Sequence, residues 1–203
     1  MSRGSKVRVY VHSFGPVCAP SKDAASIGAA VRARTAAEAT VPAAHRIANH
    51  NVLVFMTPPL VEDTEVTGPI DVKLWASSSA LDTDFTAKLI DVHPPSTDFP
   101  AGIDMNLEDG IIRARFRDSL ERQELMRPDM IYEFTVQLYP TANLFKAGHR
   151  IRLDISSSNF PRFDVNPNTG ESLNAHRSMV TATNTIFHDS AHPSHVLLPI
   201  IPR

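Results

Sequence analysis

Serine, histidine and aspartate are the residues of this sequence that can do chemistry, so their spacing is the first question. A nucleophilic serine on a strand-to-helix turn needs small flanking residues in the pattern Gly-x-Ser-x-Gly. The nearest match is Gly-Glu-Ser-Leu-Asn at residues 170–174, which lacks the second glycine and a surrounding strand-turn-helix pattern. We interpret Ser172 as part of an exposed loop and predict no catalytic residue in this sequence.

Histidines near the C-terminus are the candidates for metal binding. Three of them share a short segment with one aspartate: His188, Asp189, His192 and His195. His176 lies further upstream. Imidazole and carboxylate groups are zinc ligands, but Pro193 and the strand patterns on either side argue against a helix that would align them. We favour a polar loop with surface histidines, keep zinc binding as the alternative, and predict no metal and no cofactor.

Two carboxylates form the third candidate. Asp82 and Asp84 flank a threonine in a loop-like run of small polar residues that begins at position 77. Oxygen-rich loops of this kind coordinate calcium, but they also cap turns by accepting hydrogen bonds from nearby backbone N–H groups. We expect the structural capping role, with calcium as the alternative.

The most unusual string is residues 156–170, where hydroxyl side chains end a strand and a loop rich in Asn, Pro and Gly follows. Aromatic and charged side chains come together within it: Phe160, Arg162, Phe163 and Asp164. Loops on rigid β scaffolds often carry function. Together with Asp82 and Asp84, these residues are our candidates for contact with a ligand or a second domain. A long crossover that is hydrogen-bonded within itself is the alternative.

The elements that must position these residues are predicted to be strands. Val, Ile and aromatic residues recur with a period of two, which indicates strands with one buried and one solvated face. Turn residues such as Asp109-Gly110 separate them. The strand signals lie at residues 6–11, 52–56, 70–77, 85–92, 111–117, 131–138, 151–156, 184–188 and 196–201.

The fold class predicted from this pattern is all-β. Several alternating strands favour antiparallel sheets packed as a sandwich, and we expect a jelly roll of the galactose-binding-domain type with Greek-key connections. The rhythm of alternating strands and helices that marks a Rossmann or α/β-hydrolase core is absent from the sequence.

Two regions are predicted along the chain. Residues 1–50 contain one strand followed by an Ala-rich stretch with few large apolar residues, which makes a poor core-facing stripe. We expect this N-terminal strand and linker to be weakly ordered. Residues 51–203 form the predicted jelly-roll domain.

Composition narrows the class of protein. Twenty basic residues face 22 acidic ones, a net charge of −2, which argues against a nucleic-acid binder that works by neutralising phosphates. The single cysteine, Cys18, excludes an internal disulfide framework. No apolar run approaches the roughly 20 residues of a membrane span, and no apolar signal-peptide region is visible. We therefore expect a cytoplasmic protein that binds neither membrane nor nucleic acid.

Six ordered strings carry a resemblance to a known family. They lie at residues 57–60, 65–69, 77–89, 109–117, 145–152 and 156–170. Through them, the chain from about Val52 onward resembles the C-terminal β-domain of the X-Pro dipeptidyl-peptidase and cocaine-esterase-like serine hydrolases. α-Amino-acid ester hydrolases and glutaryl-cephalosporin acylases belong to the same set. The resemblance implies the same jelly roll that the strand pattern predicts.

The resemblance also implies a partner. In that family a Ser-Asp-His triad lies in an α/β-hydrolase domain, which has no match in this sequence, so no catalytic residue is carried over. We expect an accessory domain that packs beside a hydrolase domain, in cis or in trans, and is not catalytic alone. Such a chain is a fragment, a truncated gene product or one piece of a split protein. An exposed docking face would favour homo-oligomers.

A free-standing binding module is the alternative from a different class. Jelly rolls also bind carbohydrates, and Trp75 or Tyr139 would offer a stacking surface. Because Trp75 lies in an apolar strand with Val72 and Leu74, we expect it to pack in the core.

Overall fold

The computed structural model describes residues 5–10, 30–33, 52–175 and 177–201. Within these ranges the backbone forms strands and one short 3-10 helix, Ala114–Phe116. The strands are β1 (Ser5–Tyr10), β2 (Ala30–Ala33), β3 (Leu53–Met56), β4 (Thr64–Ser78), β5 (Asp84–His93), β6 (Ile103–Arg113), β7 (Tyr132–Phe145), β8 (Arg150–Ser156), β9 (Thr183–Phe187) and β10 (His195–Ile201).

The described strands form two sheets. In the larger sheet the order is β1-β10-β4-β9-β2, and β7 pairs with the other edge of the long strand β4. The smaller sheet has the order β3-β8-β5-β6. All described pairings are antiparallel except that of β2 with β9. This arrangement confirms the all-β fold and the sandwich, while the Greek-key order of a jelly roll remains a prediction.

The core lies between the two sheets, where the period-two pattern directs apolar side chains. Along β4, Ile70, Val72 and Leu74 are fully buried while the residues between them are only partly covered. Phe85 of β5 packs on Phe134 of β7 with ring centroids 4.7 Å apart. This contact joins the smaller sheet to the larger one at the centre of the sandwich.

The strand predictions agree with the structure except in two places. One is β2, which lies in the Ala-rich stretch where no strand was predicted. The other is the strand predicted over 111–117, which instead begins at Ile103 and ends at Arg113, and a 3-10 turn follows. The backbone leaves the sheet there because the N–H of Arg115 bonds the Asp82 carboxylate rather than a neighbouring strand.

The N-terminal prediction is only partly covered by the structure. Residues 5–10 form β1 beside β10 and residues 30–33 form β2 beside β9. The remainder of the segment predicted to be weakly ordered lies outside the described residues. No helix within the described ranges is long and apolar enough to cross a membrane.

Strand β5 matters most for the sites below. It lies between β6 and β8 in the smaller sheet. The side chains of Phe85, Ala87 and Leu89 alternate along its core-facing row and are fully buried. Polar residues lie at both ends of the strand, with Asp82 and Asp84 at its start and Asp91 and His93 at its finish.

Candidate functional site

The two carboxylates predicted from the sequence lie together where β5 begins, and both are buried. Asp82 accepts hydrogen bonds from the backbone N–H and the Nε of Arg115, at 2.9 and 2.7 Å. Asp84 accepts two from Arg113, from Nε at 2.9 Å and from Nη2 at 3.0 Å. Such two-pronged pairing fixes the geometry of both partners.

Asn166 connects these ion pairs to the long loop between β8 and β9. Its Nδ2 donates to Oδ2 of Asp82 at 3.0 Å and to Oδ1 of Asp84 at 2.8 Å. Its Oδ1 accepts the backbone N–H of Asn168 at 2.9 Å. Both amide donors and the amide oxygen are therefore used, and the loop is fastened to the start of β5.

Arg115 extends the network to two further loops. Its Nη1 donates to Oε1 of Gln123 at 3.1 Å and to the backbone carbonyl of Glu171 at 2.9 Å. The side chain is almost completely buried. A single guanidinium thus joins the start of β5, the segment after the 3-10 helix and the β8–β9 loop.

The electrostatics of the second ion pair reflect its burial. Burial raises the pKa of the Asp84 carboxyl above its usual range, while hydrogen bonds from Arg113 and Asn166 oppose the rise. The hydrogen bond to Asp84 raises the pKa of Arg113. Because water does not solvate this carboxylate, its protein partners must satisfy it, and removing one of them leaves a buried polar group unpaired.

These contacts bear on the two roles considered for the carboxylates. All four oxygens of Asp82 and Asp84 accept hydrogen bonds from arginine or asparagine donors. Because arginine and asparagine donors occupy every carboxylate oxygen, the contacts favour the structural role over calcium coordination. Because both side chains are buried, we assign them to positioning the loop instead of direct contact with a ligand or domain.

The other predicted contact residues lie on the outer part of the same loop. Phe160 is 69% exposed. Arg162 places Nη1 2.9 Å from Oδ1 of Asp109, and its guanidinium lies 5.7 Å from the ring centroid of Phe163. Asp164 is exposed, and its charge contributes to the raised pKa of Arg113. The loop therefore presents an aromatic ring and a held guanidinium at the surface.

Partly exposed apolar side chains adjoin this loop. A Cβ atom on Gly170 would come within 3.1 Å of Leu81 and 3.2 Å of Leu125, and Gly170 has a positive φ of 76°. Glycine is therefore required for the loop to fit against these two leucines. Both leucines remain partly exposed, as does Leu173.

The serine and histidine candidates are not assembled into sites. Ser172 is exposed in a turn whose carbonyl accepts the N–H of Ala175, with no described strand or helix forming a nucleophile elbow around it. His192 Nδ1 lies 3.2 Å from Asp189, whereas His195 Nδ1 faces the carbonyl of Pro193 at 2.7 Å. The C-terminal histidines do not form a three-ligand group among the described residues. His176 lies outside those residues.

Trp75 is not in the core, contrary to our prediction. Alternation along β4 places Leu74 in the core and Trp75 on the outer face, where its ring meets the edge of His192 at 5.3 Å. Tyr139 is exposed, but the register of β4 and β7 sets Trp75 opposite Glu133. Because each strand residue advances about 3.3 Å, the two rings stand too far apart to form one stacking platform for a sugar.

Sequence reasoning missed several residues of the network. Arg113 and Arg115 alternate along the sequence, but their carboxylate partners were not predicted. Asn166 lies more than 80 positions from the carboxylates that it joins. A second polar cluster, made of Asp91, His93 and His149, was not predicted at all. Only the interruption of an apolar row by Asp91 and His93 hinted at it.

The described residues form a two-sheet β-sandwich whose buried ion pairs are satisfied within the chain. Comparison with known proteins identifies the family. Residues 4–197 match the family described as the X-Pro dipeptidyl-peptidase C-terminal non-catalytic domain. The chain belongs to this family.

Individual relatives place the domain within longer enzymes. The chain is 45% identical over 155 residues to the cocaine esterase of Rhodococcus sp. (strain MB1 Bresler), covering 75% of this chain and 26% of the relative. It resembles a crystal structure of an aminopeptidase from a marine sediment Thaumarchaeota archaeon, with a TM-score of 0.73 and 31% identity over 77% of this chain and 27% of the other. An α-amino acid ester hydrolase structure gives a TM-score of 0.71 at 32% identity, covering 74% and 25%.

The chain therefore spans about a quarter of the length of these relatives. In the relatives this domain is joined in one chain to a catalytic hydrolase domain. The matched part is the non-catalytic one.

Proposed function

We propose that this chain is the accessory β-domain of a serine hydrolase acting on esters, amides or X-Pro peptides, and that it works docked beside an α/β-hydrolase domain. The observation that carries the proposal is the match of residues 4–197 to a non-catalytic domain that its relatives carry within longer enzymes. The substrate range follows the activities of the family and of those relatives, which are X-Pro peptidases, an esterase, an aminopeptidase and an ester hydrolase.

The docking contact is made by the outer part of the β8–β9 loop. Phe160 projects an exposed ring, and Arg162 lies beside it with its guanidinium held by Asp109. Aromatic and arginine side chains dominate binding energy at protein interfaces. Asn166 and the carboxylates beneath it hold the loop in one conformation, which lowers the entropy lost on docking.

The same surface explains the partners we expect. In cis or in trans, a hydrolase domain covers the loop. Without that domain, two copies of the chain would associate through it, because exposed apolar groups favour association. We place the protein in the cytoplasm, where a single unpaired cysteine, Cys18, is compatible with reducing conditions.

A domain exchange tests the docking role. Residues 4–203 would replace the matching domain of the Rhodococcus cocaine esterase, so that β1 and β2 are retained. Ester hydrolysis and thermal unfolding would then be measured. Phe160→Ala in this chimera should lower the unfolding temperature of the assembled enzyme and its activity. Phe99→Ala is the matched control, because Phe99 is also half exposed, at 50%, but lies in the β5–β6 turn.

The two variants separate the outcomes. A loss confined to Phe160→Ala supports docking through the loop. Equal behaviour of Phe160→Ala and Phe99→Ala would remove Phe160 from the interface. An unsubstituted chimera, with both Phe160 and Phe99 in place, that folds but has no activity would contradict the accessory role itself.

A further inference from the structure

The far end of β5 carries a cluster that the accessory role does not use. The core-facing row of β5 continues from Leu89 to Asp91 and His93, so the apolar row ends in a carboxylate and an imidazole. His149 joins them from the turn before β8, a turn closed by its N–H bonding to the carbonyl of Lys146. Residues distant in the chain thus meet at one end of the sandwich.

The three side chains point their polar atoms at one another. Nδ1 of His149 lies 2.9 Å from Oδ1 of Asp91, and Nε2 of His93 lies 3.4 Å from Oδ2 of Asp91. The imidazole rings face each other with centroids 4.2 Å apart and planes inclined by 34°. One ligand atom from each residue lies within 4.8 Å of the other two.

One atom of the cluster lacks a hydrogen bond. Nε2 of His93 is buried from solvent, yet it has no hydrogen-bond partner among the described residues. Asp91 is buried as well, and its Oδ2 already accepts a hydrogen bond from Nδ2 of Asn143 at 3.3 Å. A buried polar atom without a partner is costly and calls for an explanation such as an ion.

We propose that Asp91, His93 and His149 form a binding site for a divalent transition-metal ion, with Zn²⁺ the preferred occupant. Zinc binds imidazole nitrogen at about 2.0–2.1 Å and carboxylate oxygen at about 2.0–2.2 Å, so tetrahedral ligands stand roughly 3.3–3.5 Å apart. The contacts of 2.9 and 3.4 Å run to the two different oxygens of Asp91, and one ligand atom from each residue lies within 4.8 Å of the others. Modest rotations of the two rings and the carboxylate would therefore seat the ion.

The donor set selects the class of metal. Two nitrogens and one carboxylate suit zinc and its neighbours in the transition series, whereas calcium and magnesium require oxygen ligands. Three protein ligands leave one tetrahedral position for water or another small ligand. The bound ion would tie the end of β5 to the β7–β8 turn, which stabilises this end of the sandwich.

A nearby comparison within the same chain strengthens the argument. His192 and Asp189 also form a histidine–carboxylate pair, with Nδ1 and Oδ1 3.2 Å apart. No third ligand atom joins them among the described residues, where the Asp91 cluster is the one three-ligand group found. The pair therefore supplies a matched control with the same chemistry but too few ligands.

The test is Zn²⁺ titration of the full chain after removal of metal with a chelator, followed by calorimetry in a buffer that does not bind zinc. We expect the wild type and His192→Ala to bind one more equivalent of Zn²⁺ than His93→Ala and His149→Ala do. Added Zn²⁺ should raise the unfolding temperature of the first two proteins and not of the last two. Mg²⁺ should produce neither effect.

Two further measurements keep the outcome decisive if an alanine variant is unstable. His93→Gln retains a polar side chain at a position that is 29% exposed and should fold, yet still lose the extra equivalent. Co²⁺ should give the visible absorption of a tetrahedral site in the wild type but not in His93→Gln. Equal zinc stoichiometry in wild type and His93→Gln, or no zinc binding by the wild type, would overturn the proposal.

Discussion

The two ends of β5 carry similar polar side chains, but they differ in how completely the polar atoms are hydrogen-bonded. At the start, the carboxylates of Asp82 and Asp84 accept hydrogen bonds on all four oxygens from arginine and asparagine. At the finish, Asp91 faces two imidazoles, and Nε2 of His93 has no hydrogen-bond partner among the described residues. The first cluster has all its hydrogen bonds within the protein, and the second has a nitrogen that makes none.

This difference separates positioning from binding. A buried carboxylate whose hydrogen bonds are all made inside the chain holds loops in place and has no capacity left for a ligand. A cluster in which a buried nitrogen makes no hydrogen bond keeps that capacity. Residue type alone does not distinguish the two cases, because aspartate stands at the centre of both.

The largest effect is expected from breaking the complete cluster. Asp82→Ala removes the partner of buried Arg115, and an uncompensated buried charge costs about 3–5 kcal/mol. The free energy of unfolding, measured in urea, should fall by that amount. Asp98→Ala is the control, because Asp98 is exposed in the β5–β6 turn and its loss should cost less than about 0.5 kcal/mol. Equal losses in the two variants would mean that the buried network does not stabilise the fold.

A smaller loss is expected when the loop alone is released. Asn166→Ala removes three hydrogen bonds that join the β8–β9 loop to the start of β5. Unpaired buried groups cost about 1–3 kcal/mol, and limited proteolysis should cut the loop faster. Asn106→Ala, at an exposed position on β6, should leave both readouts unchanged. Protection of the loop in Asn166→Ala would show that other contacts hold it.

The smallest effect on stability is expected at the end of β5 that carries Asp91 and His93. In metal-free buffer, His93→Gln should change the free energy of unfolding by less than about 1 kcal/mol, because the side chain is partly exposed and its Nε2 makes no hydrogen bond. Urea unfolding beside Asp82→Ala measures the contrast directly. A loss as large as that of Asp82→Ala would mean that His93 stabilises the fold as Asp82 does. The two ends of β5 would then not differ in role.

Much of the fold follows from the sequence because strand signals are local. The period of two along β4, β7 and β8 directs alternate residues to the core, and the two sheets follow from it. The strand prediction over residues 111–117 fails because of a tertiary contact. Arg113, Arg115 and Arg117 continue the alternation, but the Asp82 carboxylate draws the backbone of Arg115 out of the sheet.

The sites were less predictable because their contacts are long-range. Asp82 and Asp84 were recognised, but the partner that explains them, Asn166, lies in a loop more than 80 residues away. Similarly, His149 meets Asp91 across 58 positions. No local pattern encodes such a meeting, whereas the C-terminal histidines, which are close in sequence, do not assemble among the described residues.

The most direct test of the proposed function asks whether the chain has a serine nucleophile of its own. The purified 203-residue chain would be treated with a fluorophosphonate probe and assayed for hydrolysis of a p-nitrophenyl ester, beside the Rhodococcus cocaine esterase as a positive control. We predict no labelling and no turnover by the chain. Stoichiometric labelling that is lost in Ser172→Ala would contradict a purely accessory domain.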